Sequence, residues 1–277
     1  MNNTLIELAS NHKRGLALKR PLLNAAGTLG FAGEARGLAD LTALGAFVTN
    51  PLTWTPRTPA AAPNAIELTD GVLIHTGLPN PGVRAALRQF AREWERRLSR
   101  AGVPVVVHLA ATTPDDVGRA LEALDRDERV GGVELGLRED VDESELIALV
   151  RRAHGGPPLL VRLPVARAAE LCRAAVQAGA DALTVGAPTR LSVEAGGRTV
   201  TGRVYGPGQF AAAVEAVRAV TAALAGSATP IIGAGGVFSV ENADAMQAAG
   251  AVAVQLDAVL WQEPGVLRRW EADGQLR

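Results

Sequence analysis

The chain has 277 residues, of which 48% are hydrophobic and 21% charged, and its formal net charge is -1. That length and apolar content suit one large buried core better than two small ones, and interspersed charge argues against a nucleic-acid groove or an anionic membrane surface as partner. A single cysteine, Cys172, excludes an intrachain disulfide and any multi-cysteine zinc or iron–sulfur site.

Taken in order, the elements alternate strand and helix. The opening segment, residues 1–15, has no long apolar run or cleavage-like signature, and no stretch approaches a membrane span, so a soluble cytoplasmic protein is expected. Residues 5–20 alternate loosely around a polar turn and predict a hairpin closing the floor of a barrel. Strand one is expected at Leu22 to Ala26, a short helix around Leu38 to Leu44, and strand two at Ala46 to Thr49. The proline-rich stretch 50–82 excludes a long helix and reads as a long functional loop. A helix with an apolar stripe follows from Val83 to Arg100, then strand three from Pro104 to Leu109 and a helix opening at Thr113-Pro114.

Strand four is expected at Gly132 to Leu135, with Asp142 or Ser144 capping the next helix. Strand five is Leu159 to Leu163, followed by a helix that turns Leu171, Cys172 and Val176 inward. Strand six is Ala182 to Val185. A second long polar loop, 186–206, then leads into a helix from Gln209 to Leu224. Eight strands alternating with helices over residues 1–277 predict a single (β/α)8 barrel, an α/β TIM barrel with an N-terminal hairpin under its floor.

The closing quarter, Thr229 to Trp261, is the most informative. A buried run ends in Gly233, Gly235 and Gly236, a capped helix begins near Ser239, and a second apolar run spans Ala251 to Leu256. Bare glycine N–H groups past a strand's carboxyl end form an anion-binding nest, and the loops after barrel strands seven and eight are the usual phosphate site. The second of these loops instead offers Asp257 and Ala258.

Other residue types set limits. Lys13 and Lys19 are the only lysines, so no ammonium group beyond residue 19 can serve as a base or as a counter-charge to a cofactor. No histidines or carboxylates show metal-ligand spacing, and no metal is expected. GAGGVF departs from a dinucleotide fingerprint at Phe238. His75 and His108 can point into the barrel mouth; for a lone histidine, a hydrogen-bonded structural role is the alternative. Trp261 and Trp270 are expected to pack a terminal helix or a subunit contact.

Several segments resemble the soluble FMN-containing class of the dihydroorotate dehydrogenase family. They are NAAGTLG (24–30), GAFVTNPLTWTPR (45–57), GLPNPG (77–82), GADALTV (179–185), the glycines and proline of 202–207, PIIGAGG (230–236) and AVAVQL (251–256). The resemblance implies FMN contacts at Ala25, Ala26, Gly27, Asn50, Arg203, Gly206, Gly233, Gly235, Gly236 and Asp257. It implies substrate contacts at Gly77, Leu78, Pro79 and Asn80, and a homodimer that can pair with an iron–sulfur flavoprotein subunit.

The departures fall on the positions of the family's chemistry. The family's lysine after VT is Asn50, its loop asparagine is Ile74, and its flavin-binding asparagine on strand four is Gly136. Its thiol or hydroxyl base falls on Glu139, its strand-five lysine on Arg162 and its strand-six asparagine on Ala187. GGLSGP has become Gly202 to Pro207 with Arg203 and Tyr205 inside, and the phosphate-side glycine-threonine pair is Asp257-Ala258. The resemblance therefore implies a diverged homologue that binds FMN weakly or not at all and takes a small anion in the barrel mouth. The competing expectation is an active FMN enzyme of pyrimidine biosynthesis, with Glu139 or His75 as base and Arg162 and Arg203 supplying charge. A phosphate-ester isomerase or lyase on the same barrel is a third reading, since fold alone does not fix function.

Overall fold

The computed structural model describes residues 5–35, 39–186 and 188–272. Ala187 and the expected start of a helix at Leu38 lie outside these. Eight parallel strands form the barrel: β1 (Leu22–Asn24), β2 (Phe47–Val48), β3 (Val105–Ala110), β4 (Gly132–Gly136), β5 (Leu159–Leu163), β6 (Ala182–Val185), β7 (Ile231–Ala234) and β8 (Ala253–Leu256). Each pairs with its neighbour from β2 through to β8, β8 pairs with β1, and a parallel bridge from Leu23 to Ala46 closes the ring. Helices cover the outside: α1 (Val83–Arg97), α2 (Pro114–Asp125), α3 (Glu143–Ala153), α4 (Ala168–Ala178), α5 (Phe210–Ala223), α6 (Val240–Ala248), α7 (Val259–Gln262) and α8 (Val266–Ala272). Among the described residues, no helix is long and apolar enough to cross a membrane.

Helix starts follow the capping chemistry of the sequence. Thr113, Asp142 and Ser239 each accept a hydrogen bond from the backbone N–H three residues on, satisfying a donor the helix cannot use. Between the two alternatives at α3, Asp142 is the cap. Helix α1 buries Val83, Ala86, Ala91 and Trp94, and the Trp94 indole N–H donates to Phe31 O, so its polar tip is satisfied inside the core. Cys172 is buried on α4, its thiol held above the ordinary range by burial.

The expected floor hairpin is present: Ile6–Glu7 pairs antiparallel with Ala17–Leu18. Its Leu8, Leu16 and Leu18 join Leu23, Ala46, Val106, Leu160, Ala182, Ile232 and Ala253 in an apolar plug within the barrel. Side chains alternate along a strand, so residues two positions beyond the plug residues also face inward. Those positions hold Ala25, Val48, His108, Arg162, Thr184, Ala234 and Gln255, with Glu134 at the same level on β4. A mostly polar layer therefore rests on an apolar one just below the carboxyl ends of the strands.

The two stretches expected to be irregular contain strands: residues 50–64 and 75–82 are irregular as expected, but 65–68 and 71–74, and most of 186–206, are not. Residues 65–68 pair with 71–74, residues 190–195 pair with 198–205, and the hairpins join through Arg203–Ile74 and Tyr205–Val72 into a four-stranded antiparallel sheet. This sheet supplies walls of the barrel mouth.

Candidate functional site

The polar layer is a connected network. Glu134 is fully buried; its Oε1 lies 2.7 Å from His108 Nδ1, and its Oε2 accepts from Thr184 Oγ1 at 2.7 Å and Gln255 Nε2 at 2.6 Å. Arg162, 7% exposed, donates to Gln255 Oε1 at 2.6 Å and stands 3.5 Å from Glu134 Oε1. Burial by itself would raise the Glu134 carboxyl. The Arg162 charge and the His108 and Thr184 contacts outweigh that burial and bring it down to about 2.

Above this layer the mouth holds two lobes sharing the walls Ala26, Pro51, Leu78, Arg138, Arg203 and Tyr205. The first, about 620 Å³, runs beneath the antiparallel sheet past Gly27, Asn50, His75, Gly77, Pro79, Glu139 and Trp261. The second, about 470 Å³, reaches down to His108, Gly136 and Arg162. Glu139 is engaged at the rim: one oxygen accepts from Arg203 and from the Arg190 backbone N–H. Arg203 also donates to Pro188 O at 3.0 Å. Asn50 carries a buried Oδ1 with no hydrogen-bond partner.

The glycine nest lies outside both lobes. Gly235 and Gly236 have φ of 107° and 67°, conformations that favour glycine. A Cβ on Gly236 would come within 2.6 Å of Phe210 N and 3.0 Å of Gly206 O. Asp257, only 3% exposed, fills the donor position from within: Oδ2 accepts from Gly236 N at 3.3 Å and Oδ1 from Ala258 N at 2.6 Å. Burial raises its carboxyl above the usual range, with the bonds from Ala258 and Gly236 and the Arg162 charge pulling the other way. Tyr205 packs at a tilt against Trp261, with centroids 5.4 Å apart and 59° between the ring planes, and is close enough to Asp257 and Arg162 to feel both charges; burial raises its phenol.

The structure thus brings Glu139, His75, Ala26, Gly27, Asn50, Arg203, Gly77, Leu78 and Pro79 to one cavity and Arg162 to the adjoining one. Ala25, Gly206, Gly233, Gly235, Gly236, Asp257 and Asn80 do not line either lobe. Gly233 lies against Met246, and the Ala25 N–H donates to Leu256 O. Asn80 is consumed by loop geometry: Oδ1 accepts from Thr53 N and Gly82 N, and Nδ2 donates to Leu78 O and Thr53 Oγ1. Trp261 lies in α7 and is also among the residues lining the first lobe, and its indole N–H donates to Thr28 O; Trp270 is buried in α8, as the packing expectation has it.

Glu134, Thr184, Gln255 and Tyr205 were not singled out from sequence. A signal for the first three existed: VVVHLA, GVELG, LLVRL, ALTV and AVQL each carry one polar residue, facing inward beside the strand's carboxyl end. Among the described residues, no group of three or more His, Cys, Asp or Glu side chains could hold a metal ion.

Comparison with known proteins agrees with this geometry. The family model for dihydroorotate dehydrogenase matches residues 8–271. The chain is similar to the protein named dihydroorotate dehydrogenase B (NAD(+)), catalytic subunit, from Geotalea daltonii, at 31% identity over 90% of this chain and 86% of that protein. The protein of the same name from Desulforudis audaxviator is 32% identical over 94% and 89%. That from Geobacillus kaustophilus is 30% identical over 96% and 88%. A barrel closed in this order, with its glycine nest after β7 and a match across nearly its whole length, belongs to the dihydroorotate dehydrogenase family.

Proposed function

We propose that this chain is a small-anion-binding barrel of the dihydroorotate dehydrogenase family that binds FMN weakly or not at all and oxidises little dihydroorotate. One observation carries the reading: the Asp257 carboxylate sits on the Gly236 and Ala258 N–H groups. The residues present do not fit an FMN phosphate there. Two of the donors are taken by an internal acid, and like charges at contact distance repel by about 4 kcal/mol per unit charge at a surface-like dielectric. Arg203, the cation best placed in sequence to compensate, pairs with Glu139 and Pro188 O instead. Relatives named catalytic subunits support a second protein subunit as partner for this chain.

A second reading, an active FMN-dependent oxidoreductase of pyrimidine biosynthesis, has its own support: Ala26, Gly27 and Asn50 open onto the first lobe. The visible spectrum separates the two. The purified protein is expected to be colourless, to retain no added FMN on desalting and to drive no dye reduction with dihydroorotate. Stoichiometric flavin together with dihydroorotate-driven dye reduction would establish the second reading and overturn the first.

A further inference from the structure

Helix α1 carries more positive charge than its own fold can use. Residues 84–100 hold six arginines against two glutamates, a surplus of four positive charges in a chain whose net charge is -1. Val83, Ala86, Ala91 and Trp94 make the buried side of the helix. With 3.6 residues per turn, Arg84, Arg88, Arg92 and Arg96 fall on the opposite side, and all four are exposed. They follow one another at about 6 Å along the axis, in an i, i+4 row about 18 Å long. Arg100 extends the row in the single turn that follows the helix.

Nothing in the barrel asks for this row. Like charges at i, i+4 destabilise a helix, and three such pairs follow one another here. Arg84 lies in the first turn, where the helix dipole disfavours a cation, and no acidic residue of that turn offsets it. Its guanidinium sits instead over Trp54, 4.7 Å from the ring centroid, and Trp54 is a half-buried aromatic at the end of the row. Arg88 and Arg92, in the middle, have no hydrogen-bond or ion-pair partner among the described residues. The nearby acids are engaged: Glu93 pairs with Arg96 and Arg97, and Glu95 stands 3.9 Å from Arg100. Arg97, on the core side, differs from the row, because it donates to Ala32 O and so ties the helix to the barrel.

We infer that the exposed face of α1, with Trp54 at one end, docks the acidic face of another protein, one that presents carboxylates at helical spacing. A row of acids at i, i+4 on a partner helix repeats at the same interval, and each guanidinium can hold a carboxylate through two parallel N–H bonds. Arginine and tryptophan are also the side chains in which interfaces concentrate their binding energy. A second copy of this chain cannot meet this face with its own α1 across a two-fold axis, since that sets arginine against arginine. A continuous polyanion fits less well than a protein, because Glu93 and Glu95 flank the row and the remainder of the chain is net negative. None of these residues lines either lobe of the mouth, so the inference needs neither flavin nor anion there.

The test is fluorescence anisotropy with the whole chain at physiological ionic strength, where scattered surface charges are largely screened. The probes are a labelled alanine-based helical peptide with glutamate at every fourth position, its glutamine counterpart and a single-stranded oligonucleotide. The glutamate peptide is expected to bind about tenfold or more tightly than either of the others. Arg88→Gln/Arg92→Gln should weaken that binding about tenfold or more. Arg173→Gln, which removes an exposed arginine of α4, should leave it unchanged. The double variant should also unfold in urea at an unchanged or higher midpoint, since it relieves the like-charge pairs. Equal binding of the glutamate and glutamine peptides, tighter binding of the oligonucleotide, or indifference to the double variant would overturn the proposal. A lower urea midpoint in that variant would do the same, by showing that the row serves the fold. Stoichiometric FMN in the purified protein would overturn the preceding reading and leave this one standing.

Discussion

Asp257→Gly is expected to raise FMN affinity by about two to three orders of magnitude, measured by quenching of flavin fluorescence at neutral pH. The substitution frees the Gly236 and Ala258 N–H groups that the carboxylate now occupies. It also removes a repulsion of about 4 kcal/mol at contact distance, which corresponds to about a thousandfold in affinity. Because burial raises the Asp257 carboxyl, acidification protonates it early. Wild-type FMN affinity should therefore climb as pH falls, while that of the glycine variant stays nearly flat. No gain in the variant would show that lost ring contacts, such as the replacement of a lysine by Asn50, outweigh the charge at the nest.

Glu134→Gln is expected to cost about 3–5 kcal/mol of stability, the usual penalty for leaving one partner of a buried ion pair uncompensated. Glutamine cannot neutralise Arg162, and its amide would set a donor against the donors that now converge on the carboxylate. The same residue sets part of the acid limb of stability. Its carboxyl ionises more readily folded than unfolded, so the stabilisation is full above its ordinary value of 4.5 and is lost as pH falls toward about 2. Urea unfolding at neutral pH, repeated down through this window, checks both statements. A loss below about 1 kcal/mol, or an unchanged acid limb in the variant, would show that the network contributes little.

Much of the barrel was legible because its signals are local. Apolar runs, caps at Thr113, Asp142 and Ser239, and glycines past strand ends all act within a few residues of themselves. The joining of the two hairpins over the mouth into one sheet was not legible for the opposite reason, although each hairpin is itself local. Strand 71–74 finds its partner in 203–205, more than 120 residues on, and strand 65–68 alternates only between exposed and half-buried positions. Neither prolines nor periodicity announces such a pairing.

The nest and its acid were readable, since glycine conformation and charge are properties of single residues. The Glu134–His108 pair was not: His108 could be placed at the mouth, but Glu134 sits inside a strand that reads simply as buried, and their meeting depends on register between β3 and β4. Gly136 gives the same lesson. Read alone it is a lost asparagine, whereas in the fold it is the space that His108 fills.

The most direct test of the central claim is a crystal structure of the protein grown with excess FMN. The account predicts Asp257 still bound to the Gly236 and Ala258 amides, with no phosphate between them. A fully occupied flavin whose phosphate accepts those N–H groups, with the Asp257 side chain turned aside, would contradict it.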